Sequence, residues 1–189
     1  MVLGSAFVYN GDCPDLFIAG TGKTTELYLY KWLRNTENGV PIFDKPHKIA
    51  SPFKLKGTIF QTDDHNVHAL WLKKDSVIHT VFNLKKQSFD RIGGIELPEL
   101  ASLPQSIAAR INKDQSVDLF LELVGHSIPQ NMPTKILRVK SGDLMMKRVF
   151  LRPHFIIPIC VIYAILDYCP EPLLSNKWLP IAEKKPVGG

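Results

Sequence analysis

The sequence predicts an all-β protein: a partial β-propeller of about three four-stranded antiparallel blades, followed by an irregular, proline-rich C-terminal segment. Three observations lead there. First, an oxygen-rich loop runs straight into an apolar strand at Asn112-Lys113-Asp114-Gln115-Ser116-Val117-Asp118-Leu119-Phe120-Leu121. Second, weaker copies lie at Asn10-Gly11-Asp12-Cys13-Pro14-Asp15-Leu16-Phe17-Ile18-Ala19 and at Asp63-Asp64-His65-Asn66-Val67-His68-Ala69-Leu70-Trp71-Leu72. The marker residues Asp12, Asp64 and Asp114 stand 52 and 50 residues apart, a period in the range of propeller blades. Third, each period holds about four short apolar or alternating runs separated by turn residues, the pattern of an antiparallel sheet. The copies divide the chain at about 1–52, 53–103 and 104–152, leaving 153–189 as the tail.

In the first copy, Leu3 to Tyr9 is apolar and reads as a strand. Leu16-Phe17-Ile18-Ala19 is a short buried one, and Gly20-Thr21-Gly22 a turn. From Glu26 to Trp32 leucines alternate with aromatics, so a strand with two distinct faces is expected. Asn35 to Gly39 is a turn cluster, and Pro41-Ile42-Phe43-Asp44 is assigned as the outer strand. In the second copy, Gly57 to Phe60, Ala69 to Leu72 and the β-branched run Val77 to Phe82 are strands, with tight turns between. Ser88 to Ile92 is the outer strand, matching Ile42-Phe43-Asp44. In the third copy, Ser106 to Ala109 leads into the Asn112 loop, and Leu119 to Val124 is the clearest strand of the chain. Lys135 to Val139 alternates as a half-buried strand should. Ser141-Gly142-Asp143 turns the chain into Leu144 to Leu151. Beyond it, prolines at 153, 158, 170, 172, 180 and 186 exclude a long regular element.

Composition narrows the function classes. The chain has 189 residues, 45% hydrophobic and 22% charged, enough for one ordinary core. The net charge is +5, but no basic run exceeds two residues, so nucleic-acid binding is not expected. Cys13, Cys160 and Cys169 make no disulfide framework and show no zinc spacing. Met1 to Ser5 lacks the basic start and apolar core of a signal peptide. Phe155 to Leu166, the longest apolar stretch, contains Pro158 and is too short to span a bilayer.

The loop–strand copies resemble the FG-GAP or VCBS-type repeat of integrin α-like propellers and of many secreted bacterial proteins. The motif runs roughly Asp-x-Asn-x-Asp-Gly-x-x-Asp-Leu before an apolar strand. In the third copy Asn112, Asp114, Asp118 and Leu119 match, while Arg110 and Gln115 replace the first Asp and the Gly. In the first, Asn10, Asp12, Asp15 and Leu16 match after a one-residue deletion, with Val8 at the first Asp. In the second only Asp64 matches, and Thr62 and His68 replace the Asn and the last Asp. The resemblance covers about residues 3 to 151. It implies an extracellular, periplasmic or cell-surface module that contacts proteins or glycans, often beside an enzymatic domain.

The expectation is therefore a non-catalytic binding or scaffold module, cut from a larger protein, that contacts missing blades or associates with itself. Its alternative is part of a carbohydrate-active enzyme. Asp44, Asp90, Glu96, Glu99 and Glu122 are the carboxylates on hand for a pair across a cleft, though the matching blade positions of Asp44 and Asp90 speak for a structural role. Tyr28, Tyr30, Trp32 and Trp71 are rings that could stack on sugars or fill the core between blades. Gly20-Thr21-Gly22-Lys23-Thr24-Thr25 looks like the end of a P-loop, but the first glycine is missing and a strand pattern follows where a helix should begin. Asp63 to His68 concentrates metal-type ligands in what reads as a solvated loop. Asn112, Asp114 and Asp118 are the candidate metal ligands, for weakly held calcium. The competing reading is a turn without an ion, in which Asp118 caps backbone N–H groups at the strand start. The positive charge of Arg110 weighs for the turn.

Overall fold

The structure is a computed structural model that describes residues 2–10, 13–20, 24–100, 102–124 and 134–153. Every regular element among them is a strand. They are β1 (Val2–Asn10), β2 (Cys13–Gly20), β3 (Glu26–Tyr30), β4 (Trp32–Asn35), β5 (Pro41–Phe43), β6 (His47–Ile49), β7 (Lys56–Gln61), β8 (Val67–Leu72), β9 (Ser76–Asn83), β10 (Ser88–Glu96), β11 (Pro104–Ile111), β12 (Val117–Leu123), β13 (Thr134–Ser141) and β14 (Leu144–Pro153). Three four-stranded sheets form, with orders β1-β2-β3-β6, β7-β8-β9-β10 and β11-β12-β14-β13, beside the small hairpin β4-β5. Among the described residues the sheets close into neither a barrel nor a ring. No described helix is long and apolar enough to cross a membrane. Phe155 to Leu166, Cys160 and Cys169 lie outside the described residues.

The sheets pack through two apolar cores, and the second sheet belongs to both. All six residues of β8 are buried. Val67, Ala69 and Trp71 face the first sheet, where they meet Ala6, Val8, Leu27, Leu29 and Ile49. Leu70 and Leu72 face the third, with Ile107, Val117, Leu119, Leu121, Met146 and Val149. Strand alternation sends successive side chains to opposite faces, so a strand covered on both sides must be apolar at nearly every position. Trp71 is fully buried, sits edge-on to Phe53 and Phe89, and donates its indole N–H to Thr80 Oγ1 at 2.9 Å. Gly57 on β7 lies so close that a Cβ there would stand 2.7 Å from the Trp71 ring.

The first strands of the sheets are neighbours: β7 packs against both β1 and β11. Gln61, at the end of β7, accepts from Phe7 N–H at 3.1 Å and donates to the Phe7 carbonyl. Its amide thus stands in for a further strand on the open edge of β1, where unpaired peptide groups would otherwise invite association.

Two expectations about strand order are corrected. Pro41–Phe43 is not the outer strand of the first sheet. It pairs with Trp32–Asn35 in a separate hairpin, and His47–Ile49 takes the outer place, with Ile49 opposite Leu27. The cause lies at Trp32: its N–H donates to Asp15 Oδ1 at 2.9 Å, so the chain leaves the sheet after Tyr30. Asp44 and Asp90 therefore do not occupy matching positions. In the third sheet β14 inserts between β12 and β13 and runs parallel to β12, so this sheet is not purely antiparallel. The expected alternation over Lys135 to Val139 is also broken, by a register shift between Ile136 and Val139, with Arg138 at φ +48°.

Candidate functional site

The second and third copies of the loop fold alike. Thr62 N–H donates to the Asn66 carbonyl and His65 N–H to the Thr62 carbonyl; Asn112 and Ser116, and Gln115 and Asn112, repeat both bonds. Asp64 and Asp114 each accept from the backbone N–H two residues on, that of Asn66 and of Ser116, an Asx turn. His65 and Gln115 sit at φ +63° and +61°, the left-handed region that glycine fills at least cost. The glycine of the repeat motif thus falls on the position that needs it, and Gln115 occupies it with a second task. Its side chain donates to Asp63 Oδ2 at 2.7 Å and accepts from Asp63 N–H, joining the two loops.

The three expected calcium ligands have protein partners. Asn112 Nδ2 donates to Ser116 Oγ at 3.1 Å. Asp114 accepts from the Ser116 hydroxyl and from Lys147 Nζ at 3.2 Å. The Ser116 hydroxyl, with help from its N–H and from Lys147, holds the Asp114 carboxyl down at about 2. Asp118 is fully buried and meets Arg148 in a two-point ion pair, Nε–Oδ1 at 2.9 Å and Nη2–Oδ2 at 2.5 Å. The backbone cap at this turn is Asp114, while Asp118 serves the ion pair. No group of three or more His, Cys, Asp or Glu residues that could hold a metal ion occurs among the described residues.

Asp15, His68 and Asp118 occupy the same place in their sheets, on the second strand opposite Val8, Phe60 and Arg110. All three are buried, and each has a different partner. Asp15 holds Trp32 N–H, and Asp118 holds Arg148. His68 enters a chain of side chains: Nε2 lies 3.2 Å from Thr62 Oγ1, and Nδ1 lies 3.0 Å from His79 Nε2. His79 Nδ1 then lies 2.9 Å from Ser141 Oγ in the third sheet. The direction of this chain follows from its ends. Thr62 gives its one hydrogen to the carboxylate of Asp64, so it must accept from His68 Nε2–H. Neutral His68 then accepts at Nδ1 from His79 Nε2–H, and His79 Nδ1 accepts from the Ser141 hydroxyl. Burial pushes both imidazoles toward the neutral form, His79 to about 4.

The aromatic candidates separate. Trp71 is core. Tyr28 and Tyr30 are half-buried, on the face of the first sheet turned away from the second, because Leu27 and Leu29 between them enter the core. Phe7, 43% exposed, and Leu16 share that face, opposite each other on β1 and β2. Tyr28 Oη donates to Glu26 Oε2 at 2.7 Å, and Lys48 Nζ to Glu26 Oε1 at 2.7 Å. The Lys48 contact, then Tyr28, lowers the Glu26 carboxyl below its ordinary range, and Glu26 in turn raises the Tyr28 phenol. The P-loop-like stretch leads from Thr24 and Thr25 into strand β3, so the helix N-terminus that would bind phosphate is not there.

His79, Ser141 and Arg148 were not singled out from the sequence. His79 carried the one usable signal: it shares a strand face with Val77 and Val81, in a run whose inward positions should be apolar. No protein-family model, no curated protein and no solved structure matches the chain.

Replacing Arg148 by Met should cost about 3–5 kcal/mol, because the buried Asp118 loses its partner. Adding Asp118→Leu should recover most of that loss. Urea denaturation of the single and double variants measures both.

Proposed function

We propose that the chain is a non-catalytic binding or scaffold module, three blade-like sheets of an open propeller of the FG-GAP or VCBS kind. The stacking of the sheets with their first strands side by side supports the blade reading, as does the recurrence of one Asx turn after 50 residues. The observation that carries the binding role is the outer face of the first sheet. There Phe7, Leu16, Tyr28 and Tyr30 stay partly open to water beside the Glu26–Lys48 pair. Rings with a polar edge are the chemistry of protein and glycan contacts, and in a larger propeller the same face would take the next blade. The enzyme reading finds less support: His68, His79 and Ser141, the groups a hydrolase would use, are sealed in the core with their nitrogens and hydroxyl engaged.

Sedimentation velocity over a concentration series tests this. The chain made alone should associate through the open face, and Tyr28→Lys with Tyr30→Lys should return it to a monomer without changing its melting temperature. A parent that stays monomeric at every concentration would contradict the open-face reading.

For Asn112, Asp114 and Asp118 we infer a turn held by protein donors in the place of an ion. Calorimetry with millimolar calcium should then give no heat. A binding signal that disappears in Asp114→Ala would put weak calcium there, toward the ~10⁻⁴–10⁻³ M range.

A further inference from the structure

The joint between the second and third sheets contains a polar contact that its apolar core does not require. Ser141 opens the turn between β13 and β14, and its side chain reaches His79 at the centre of the second sheet. The fit is close. A Cβ on Gly93 of β10 would stand 2.4 Å from Ser141 Oγ, and Gly142, at φ +58°, lies against Ile92. His79 is fully buried, Ser141 is 3% exposed, and His68 lies between Phe60, stacked at 5.4 Å, and the His79 ring at 5.1 Å.

We propose that the His68–His79 pair is a proton-sensitive latch that holds the Ser141–Gly142–Asp143 turn of the third sheet against β10 of the second. With both rings neutral, each bond of the chain from Asp64 to Ser141 has one donor and one acceptor. One added proton bound at His79 Nδ1 turns that atom into a donor. The Ser141 hydroxyl must then turn its hydrogen away from the ring and become the acceptor, so the bond that closes the turn has to reverse. A second proton would set N–H against N–H across the 3.0 Å gap. Among the described residues, the charged or titratable groups acting on the pair are Asp64, on His68, and His68, on His79. From β10 the neighbour is Gly93, and from β7 it is Phe60; neither carries charge. Asp64 favours a charged His68, but burial outweighs it, and burial followed by the charge of His68 holds His79 down, against a smaller opposing backbone contact at Ser141.

The sign follows from linkage. Opening returns His79 to water, where it titrates near its ordinary value. The open form therefore binds more protons between that value and the depressed one of the closed form. The latch is fully closed above about pH 6.5 and loosens as the pH falls toward about 4.

Amide hydrogen exchange of Gly93 and of residues 141–144 at pH 7.5 and pH 5, corrected for intrinsic rates, reads the opening directly. The opening constant should rise about 30-fold between the two, and His79→Leu should abolish most of that rise. Imidazole nitrogen spectra of the unaltered protein at pH 7.5 give a second reading that needs no variant: both rings should be Nε2–H tautomers. A parent whose opening is flat with pH, a rise that persists undiminished in His79→Leu, or an Nδ1–H tautomer on either ring would each overturn the latch.

Discussion

The six residues of β8 have no side facing water, and most of the remaining structure follows from that constraint. A two-faced strand divides its side chains between two cores, and here the odd and even positions do so without exception among the apolar residues. The neighbouring sheets are then fixed in place by what they must cover. Trp71 calls for a recess and finds Leu27 and Leu29 of the first sheet together with Phe53 of the segment before β7. Leu70 and Leu72 call for the apolar rows of β11, β12 and β14. A sheet of this size cannot bury both faces by itself, so the middle sheet depends on the outer two for its stability.

The same constraint explains why Asp15, His68 and Asp118 are engaged by protein partners. Asp15, His68 and Asp118 stand at equivalent places just inside the first hairpin of each sheet, where the loop gives way to the core. A polar side chain sealed there costs free energy unless it is bonded. Three different solutions appear: a backbone N–H, a histidine chain and a guanidinium. Each ties the second strand to something more distant in sequence. Asp15 turns the chain out of its sheet at Trp32, Asp118 fixes β14 beside β12, and His68 links two sheets through His79 and Ser141. The polar positions therefore direct strand order and sheet joining, while the apolar positions supply the cohesion.

This division accounts for what the sequence showed and what it hid. Strands and turns were legible because their causes are local. The oxygen-rich loops marked turns, the leucine–tyrosine alternation of Glu26 to Tyr30 marked a two-faced strand, and the apolar run Ala69 to Leu72 marked a buried one. That Val67 and His68 begin that strand, and that Asp114 rather than Asp118 caps its turn, was not legible. Strand order was less legible. Nothing in Pro41-Ile42-Phe43 tells that His47-Lys48-Ile49 will pair with β3 instead, since that choice turns on Asp15 capturing Trp32 N–H from 17 residues away. The parallel placement of β14 depends likewise on Arg148 reaching Asp118 across 30 residues. The latch joins positions 62 residues apart, and only the presence of a histidine at an inward position hinted at it. The loop oxygens of Asn112, Asp114 and Asp118 were readable as a set, but their partners Lys147 and Arg148 come from another strand.

The central claim is that the second sheet is the keystone and that the stack unfolds as one unit. Native-state hydrogen exchange in increasing urea tests it most directly. The account predicts that the amides of Val67 to Leu72 are the slowest to exchange and open only with global unfolding, and that the innermost amides of β2 and β12 merge with them as urea rises. Exchange of β8 through a sub-global opening that leaves the first or third sheet protected would contradict it.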